Sequence, residues 1–324
     1  MLVVDAERIF SVVRMPALIE ALRAAFARGC DAPLRQIITV PGGDRERLLL
    51  SMPAFDADGS GVTKLVTIFP DNAGREMPTV HAAIVVFSAF GAPIALLDGT
   101  SLTRLRTAAA SALASTYLSR ADSSRLVIVG TGSLAPYMAQ AHCSVRPIQR
   151  VEIWGRNEER AQATTQAVKQ LLDRKVEVIV STSLQRSLQE ADIVSCATNS
   201  TTPVLPGDWV QSGTFVDLVG AYSHDMRESD DALVSRARIF VDTFEGAMAE
   251  AGDILDPIAR GVITRDRVEA QLADLVNGRH PGRQSPEDIL LFKSVGAAIE
   301  DLAAARLVID SINAGLTDTR STCR

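Results

Sequence analysis

Small residues at a fixed spacing, Gly130-x-Gly132-x-x-Ala135, stand between a β-branched apolar run (Leu126–Val129) and a helix-like segment. Each has a physical task in that setting: the first permits a tight turn, the second lets the main chain approach a pyrophosphate, and the third allows close helix–strand packing. The N–H groups that open the helix then face the anion. Gly130, Thr131, Gly132, Ser133 and Leu134 thus read as a dinucleotide-binding loop. The next apolar run ends in Trp154-Gly155-Arg156-Asn157, with no carboxylate before Glu158. A ribose hydroxyl is ordinarily held by an acidic residue there, whereas Arg accommodates a 2′-phosphate. Arg156 and Asn157 therefore favour NADP, with NAD as the alternative. Thr198 and Asn199, in Cys196-Ala-Thr198-Asn199-Ser200, close a further strand-like run and suit either cofactor contacts or an ordinary polar turn.

A second group consists of isolated cations among apolar residues: Arg35, Lys64 and Arg106. Lys64 lies inside GVTKLVTIF, where a buried charge is expensive unless paired. Such cations converging on one point would clamp a carboxylate, Arg by bidentate pairing and Lys as a point charge. Composition by itself favours structural or surface ion pairs for them. No GxSxG elbow supports hydrolase chemistry. The histidines (His81, His142, His224, His280) show no HExxH or paired metal spacing, so no metal site is expected.

The elements that must position these residues follow from periodicity. Residues 1–30 read as helical, with Leu18, Ile19, Leu22 and Phe26 at helical spacing. Residues 34–97 contain short Val-, Ile- and Thr-rich runs separated by Gly42-Gly43, Gly59-Ser-Gly61 and Pro70–Gly74, which predicts a largely antiparallel sheet. SLTRLRTAAASALASTYLSR, from Ser101, predicts a connecting helix. From Leu126 to Asp242 strand-like and helical segments alternate, the pattern of a parallel doubly wound sheet with the glycine loop at a sheet edge facing a crevice. Helices are expected from Gly246 onward, with a polar, frayed end at LTDTRSTCR.

Bulk properties remove whole classes. The 324 residues are 47% hydrophobic and 22% charged, which describes a folded globular chain long enough for two domains. A net charge of −6 and only 5% aromatic residues disfavour nucleic-acid binding. Cys30, Cys143, Cys196 and Cys323 are scattered, as in a reducing cytoplasm, and no signal peptide or membrane span is read.

The ordered motifs resemble the ornithine cyclodeaminase/mu-crystallin family along nearly the whole chain. They include Leu34-Arg35, Met52-Pro53-Ala54, Thr63-Lys64-Leu65-Val66-Thr67, Asp98-Gly99 and Leu102-Thr103-x-x-Arg106-Thr107-Ala108-Ala109-x-Ser111-Ala112. The GTGSLA loop, Val219-Gly220-Ala221, Arg227-Glu228, Ala251-Gly252-Asp253-Ile254 and Phe292-Lys293-Ser294-x-Gly296 complete the set. The resemblance implies an α/β homodimer in which a Rossmann domain (120–297) is inserted into a discontinuous α+β substrate-binding and dimerisation domain (1–119 plus 298–324). It implies that Arg35, Lys64 and Arg106 serve the substrate carboxylate and catalysis, with His81 near the substrate and Val219 and Lys293 at the cofactor. The implied chemistry is hydride transfer between a nicotinamide and the α-carbon of a small amino or imino acid. Cyclodeaminases of the family carry an Asp where this chain has Tyr222, and IWGRN resembles the NADP-type mu-crystallin segment. The resemblance therefore points to reduction of a cyclic ketimine such as Δ1-pyrroline-2-carboxylate. Ornithine cyclodeaminase, amino-acid dehydrogenase and a non-enzymatic small-ligand binder are the alternatives.

Overall fold

A computed structural model describes residues 1–75, 77–172 and 175–321; Cys323 lies outside the described residues. In chain order the strands and helices begin with β1 (Leu2–Val4), α1 (Ala6–Val12), α2 (Met15–Arg28), β2 (Gln36–Val40), β3 (Arg47–Phe55), β4 (Gly61–Ile68), β5 (Val80–Phe87), β6 (Pro93–Asp98) and α3 (Gly99–Leu118). They continue through β7 (Arg125–Val129), α4 (Ala135–Val145), β8 (Arg150–Trp154), α5 (Glu158–Leu171), β9 (Glu177–Val180), α6 (Leu184–Glu190), β10 (Ile193–Cys196), β11 (Phe215–Leu218) and α7 (Asp231–Arg236). The remainder is β12 (Arg238–Val241), α8 (Phe244–Glu250), α9 (Gly252–Ala259), β13 (Val268–Gln271), α10 (Leu272–Val276), β14 (Leu290–Lys293) and α11 (Ala298–Ser321).

The chain divides into two compact units, residues 1–106 with 297–324, and residues 107–296. The division falls inside α3, between Arg106, which pairs with Glu300 and Asp301 of α11, and Thr107.

The first unit is a six-stranded sheet in the order β1-β6-β5-β4-β3-β2, antiparallel except for the parallel β1–β6 pair. β1 lies in the stretch read as helical; three residues are too few to show a period of two. Alternation decides the two faces. Val62, Lys64 and Val66 of β4, opposite Ala54, Met52 and Leu50 of β3, are buried on the face covered by α11. α2 packs on α11 through a stripe of Leu18, Ile19, Leu22 and Phe26, each residue contributing about 1.5–3 kcal/mol by burial. The register places Val3, Leu96, Val85, Leu65 and Ile38 on the other face, and Val3, Leu65 and Ile38 are exposed there. α11 is helical through Ser321, so residues 316–321 of the end expected to fray are helix, while residues 322–324 lie outside the described residues.

The second unit is an eight-stranded parallel sheet, β13-β12-β14-β11-β10-β7-β8-β9. Its inner strands β10, β11 and β14 are buried at every residue, as a parallel sheet covered on both faces requires. β13 and β14 correct the expectation of helices only beyond Gly246. Their sequences, VEAQ and LLFK, consist mostly of helix-forming residues, so nothing local marks them as strands. The strand order reverses between β7 and β10, which marks the ligand-binding crevice of a doubly wound sheet. No helix of the described residues is long and apolar enough to cross a membrane.

Candidate active site

In the first unit, Lys64 and Arg106 meet two carboxylates from the first turn of α11. Lys64 Nζ lies 2.7 Å from Asp301 Oδ2. Arg106 Nη1 donates to Glu300 Oε2 at 2.6 Å and Nε donates to Asp301 Oδ1 at 3.0 Å. All four side chains are buried. Desolvation, strengthened by the Arg106 charge and opposed by Asp301, lowers the Lys64 pKa to about 8. Burial also acts against the Arg106 charge, but Asp301 and Glu300 outweigh it and hold the guanidinium above its ordinary range. Arg35, half-buried just before β2, adds a repulsion felt at Lys64. The three cations read from the sequence thus share one electrostatic neighbourhood. Glu300 and Asp301, which complete it, were missed; the available signal was that a buried Lys demands a partner.

His81 does not join this cluster. It pairs with Thr67 while Lys64 pairs with Ile84, so the pleat puts His81 on the opposite, open face of the sheet, where it is exposed.

In the second unit the glycine loop follows β7, with Gly130 at φ +123°. A Cβ at Gly130 would lie 2.5 Å from the Ala197 carbonyl oxygen, so only glycine lets the loop pass that strand end. A Cβ at Gly132 would instead meet open space, the room a pyrophosphate needs to reach the main chain. Thr131, Gly132 and Ser133 are at least partly exposed, and α4 opens with Leu134, which supplies no side-chain cap to its first amides. These features fit a dinucleotide, its phosphates held by the loop and the helix terminus. Arg156 is exposed just beyond β8, whereas Asn157 Oδ1 caps α5 by accepting from Arg160 N at 2.8 Å.

Beyond the switch point, Asn199 is exposed, but Thr198 is committed: its N and Oγ1 donate to Glu228 Oε1 at 2.7 and 2.9 Å. Val219 N donates to the Cys196 carbonyl at 3.0 Å. Lys293, read as a cofactor contact, is fully buried with Nζ 3.2 Å from Asp253 Oδ2. Its charge serves that pair, because a buried ammonium must be neutralised where it stands. Burial raises the Glu228 carboxyl despite the pull of Lys293, and pushes the Cys196 thiol well above its usual range.

The ornithine cyclodeaminase/mu-crystallin family profile matches residues 1–315. The chain is 37% identical over 316 residues to a Delta(1)-pyrroline-2-carboxylate reductase of Colwellia psychrerythraea, covering 96% of this chain and 99% of that one. Among solved structures it is similar to Thermococcus litoralis Delta(1)-pyrroline-2-carboxylate reductase in complex with NADH and L-proline, with a TM-score of 0.91, 33% identity and coverage of 97% and 98%. It is also similar to an archaeal alanine dehydrogenase dimer with bound NAD, with a TM-score of 0.89, 28% identity and 97% of each chain covered. With its inserted parallel sheet, its glycine loop and its buried cations, the chain belongs to the ornithine cyclodeaminase/mu-crystallin family.

Proposed function

We propose that this chain is an NAD(P)H-dependent oxidoreductase that reduces the C=N bond of a cyclic imino acid, Δ1-pyrroline-2-carboxylate, to L-proline. The observation that carries the reading is the Lys64–Asp301–Arg106–Glu300 network. It holds a buried acid whose pKa is about 8 beside a guanidinium fixed by two carboxylates. Arg106 Nη2, the nitrogen that neither carboxylate takes, is the edge offered to the substrate carboxylate, with Arg35 as the second cation.

Reduction adds one hydride to carbon and one proton to nitrogen. A reduced nicotinamide held by the second unit supplies the hydride when bound. Lys64 in its ammonium form donates the proton to the ring nitrogen, becomes the neutral amine, and recovers a proton from water. Asp301 keeps the ammonium oriented during that transfer, and Arg106 draws off the negative charge of the bound carboxylate. The relatives' names support this substrate class. Tyr222, in place of an acid, removes the group that resemblance assigns to cyclodeaminases. The exposed Arg156 favours NADPH over NADH. The open apolar face with Val3, Leu65 and Ile38 suits a second copy of the chain, in line with the dimeric alanine dehydrogenase neighbour.

The test is to incubate the protein with Δ1-pyrroline-2-carboxylate and NADPH or NADH and follow nicotinamide absorbance and proline together. Equal rates of cofactor oxidation and proline formation are expected; no oxidation with either cofactor contradicts the reading.

A further inference from the structure

Three motifs, Arg227-Glu228, Ala251-Gly252-Asp253 and Phe292-Lys293, touch none of the chemistry above, yet the fold brings them together in one buried lattice. Glu228 spans two loops with its two oxygens. Oε1 accepts from Thr198 N and Oγ1, beyond β10, at 2.7 and 2.9 Å. Oε2 accepts from Gly220 N and Ala221 N, beyond β11, at 2.7 and 3.3 Å. Asp253 Oδ1 fixes the main chain on which Glu228 rides, accepting from Glu228 N at 2.8 Å and from Ser229 N and Oγ at 2.9 Å. Lys293 Nζ, 3.2 Å from Asp253 Oδ2 and 4.0 Å from Glu228 Oε2, sets one positive charge between the two carboxyl groups. The two loops meet closely: a Cβ added at Gly220 would fall 2.0 Å from the Thr198 carbonyl oxygen and 2.4 Å from Glu228 Oε1.

β10 and β11 lie on the far side of the switch point from β8. In a doubly wound sheet built of two mononucleotide-binding halves, β8 serves the adenosine and the loops after β10 and β11 serve the nicotinamide half. We propose that Glu228 is a positioning residue that clamps these two loops at the spacing the nicotinamide half of the dinucleotide requires. Asp253 and Lys293 hold the clamp from behind. A carboxylate is the side chain suited to the task, because both of its ends accept hydrogen bonds. Glutamine would turn an NH2 toward N–H donors at one loop or the other. The inference rests on the dinucleotide reading and adds to it a division of labour between the two halves.

The experiment is to measure dissociation constants of NADPH and of 2′-phospho-ADP-ribose, with NADH and ADP-ribose alongside, for the wild type, Glu228→Gln and Gly220→Ala. Thermal melting reports that each variant is folded. Gly220→Ala keeps every charge of the lattice but drives a methyl group against the Thr198 carbonyl and Glu228 Oε1, wedging the loops apart, so it carries the test if Glu228→Gln does not fold. Both variants are expected to bind the intact dinucleotide roughly tenfold or more weakly, while the ligands lacking nicotinamide bind within about twofold of the wild type. Equal weakening of both ligand types, or of neither, overturns the positioning role. A wild type that binds none of the four ligands overturns the dinucleotide reading itself.

Discussion

Asp301 Oδ2 lies 2.7 Å from Lys64 Nζ, joining the first turn of the final helix to the middle of β4. The other oxygen of the same carboxylate accepts from Arg106 Nε at 3.0 Å. One buried acid thus orients both the proposed proton donor and the proposed carboxylate receptor. Its attraction also offsets part of the desolvation that depresses Lys64.

Asp301→Asn removes that attraction, so the Lys64 pKa moves further down. The ammonium is the acid form and exists below the pKa, so wild-type kcat/KM is expected to be level at low pH and to fall as pH rises through about 8. In Asp301→Asn the fall begins at lower pH, and loss of one partner from the buried network costs about 3–5 kcal/mol of stability. A pH profile and a melting curve check the two effects separately. An unmoved alkaline limb contradicts the pairing as the determinant of the Lys64 pKa.

Arg106→Lys keeps one positive charge but cannot serve Glu300 and Asp301 while presenting a further N–H edge to substrate. Losing a charge-assisted bond worth roughly 1.5–3 kcal/mol raises KM for the imino acid about 10- to 100-fold. The dissociation constant of NADPH is expected to stay near the wild-type value. Steady-state kinetics with direct cofactor titration measure the split.

Arg156→Ala tests cofactor choice. If the exposed guanidinium beyond β8 meets a 2′-phosphate, the substitution raises KM for NADPH by roughly tenfold and leaves KM for NADH unchanged. Equal KM changes for the two cofactors place the phosphate elsewhere.

Leu65→Glu puts a charge on the open face of the first unit's sheet, away from Lys64 on the same strand. Light scattering is expected to find a dimer for the wild type and a shift toward monomer for the variant. A wild-type monomer contradicts the use of this face by a second copy.

Much of this was readable from residue types, and the gaps have physical causes. The glycine loop carried its meaning locally, since turn, close approach and helix terminus occupy six consecutive residues. Lys64 stood out because a charge inside GVTKLVTIF needs a partner, but nothing local could say that the partner waits in α11. Glu300 and Asp301 read like ordinary acids stabilising a helix N-terminus. His81 shows the converse. Its nearness in sequence to the other site residues concealed its face, which only the Thr67 pairing decides. Lys293 enters only through the resemblance, as a cofactor contact, and the structure sets Asp253 3.2 Å from it as its ion-pair partner. β1 was lost because three residues are too few for periodicity to speak, and β13 and β14 because Glu, Ala, Gln, Leu and Lys are helix formers.

The central claim is hydride delivery to C2 of a cyclic imino acid with proton delivery by Lys64. It is tested most directly by incubating the protein with Δ1-pyrroline-2-carboxylate and nicotinamide cofactor deuterated at the transferred position, then analysing the proline by mass spectrometry. The account predicts proline carrying one deuterium at C2, formed in step with cofactor oxidation, and a Lys64→Ala rate lower by roughly 10²- to 10⁴-fold. Proline that forms only from ornithine, with ammonia released and no deuterium incorporated, would contradict it.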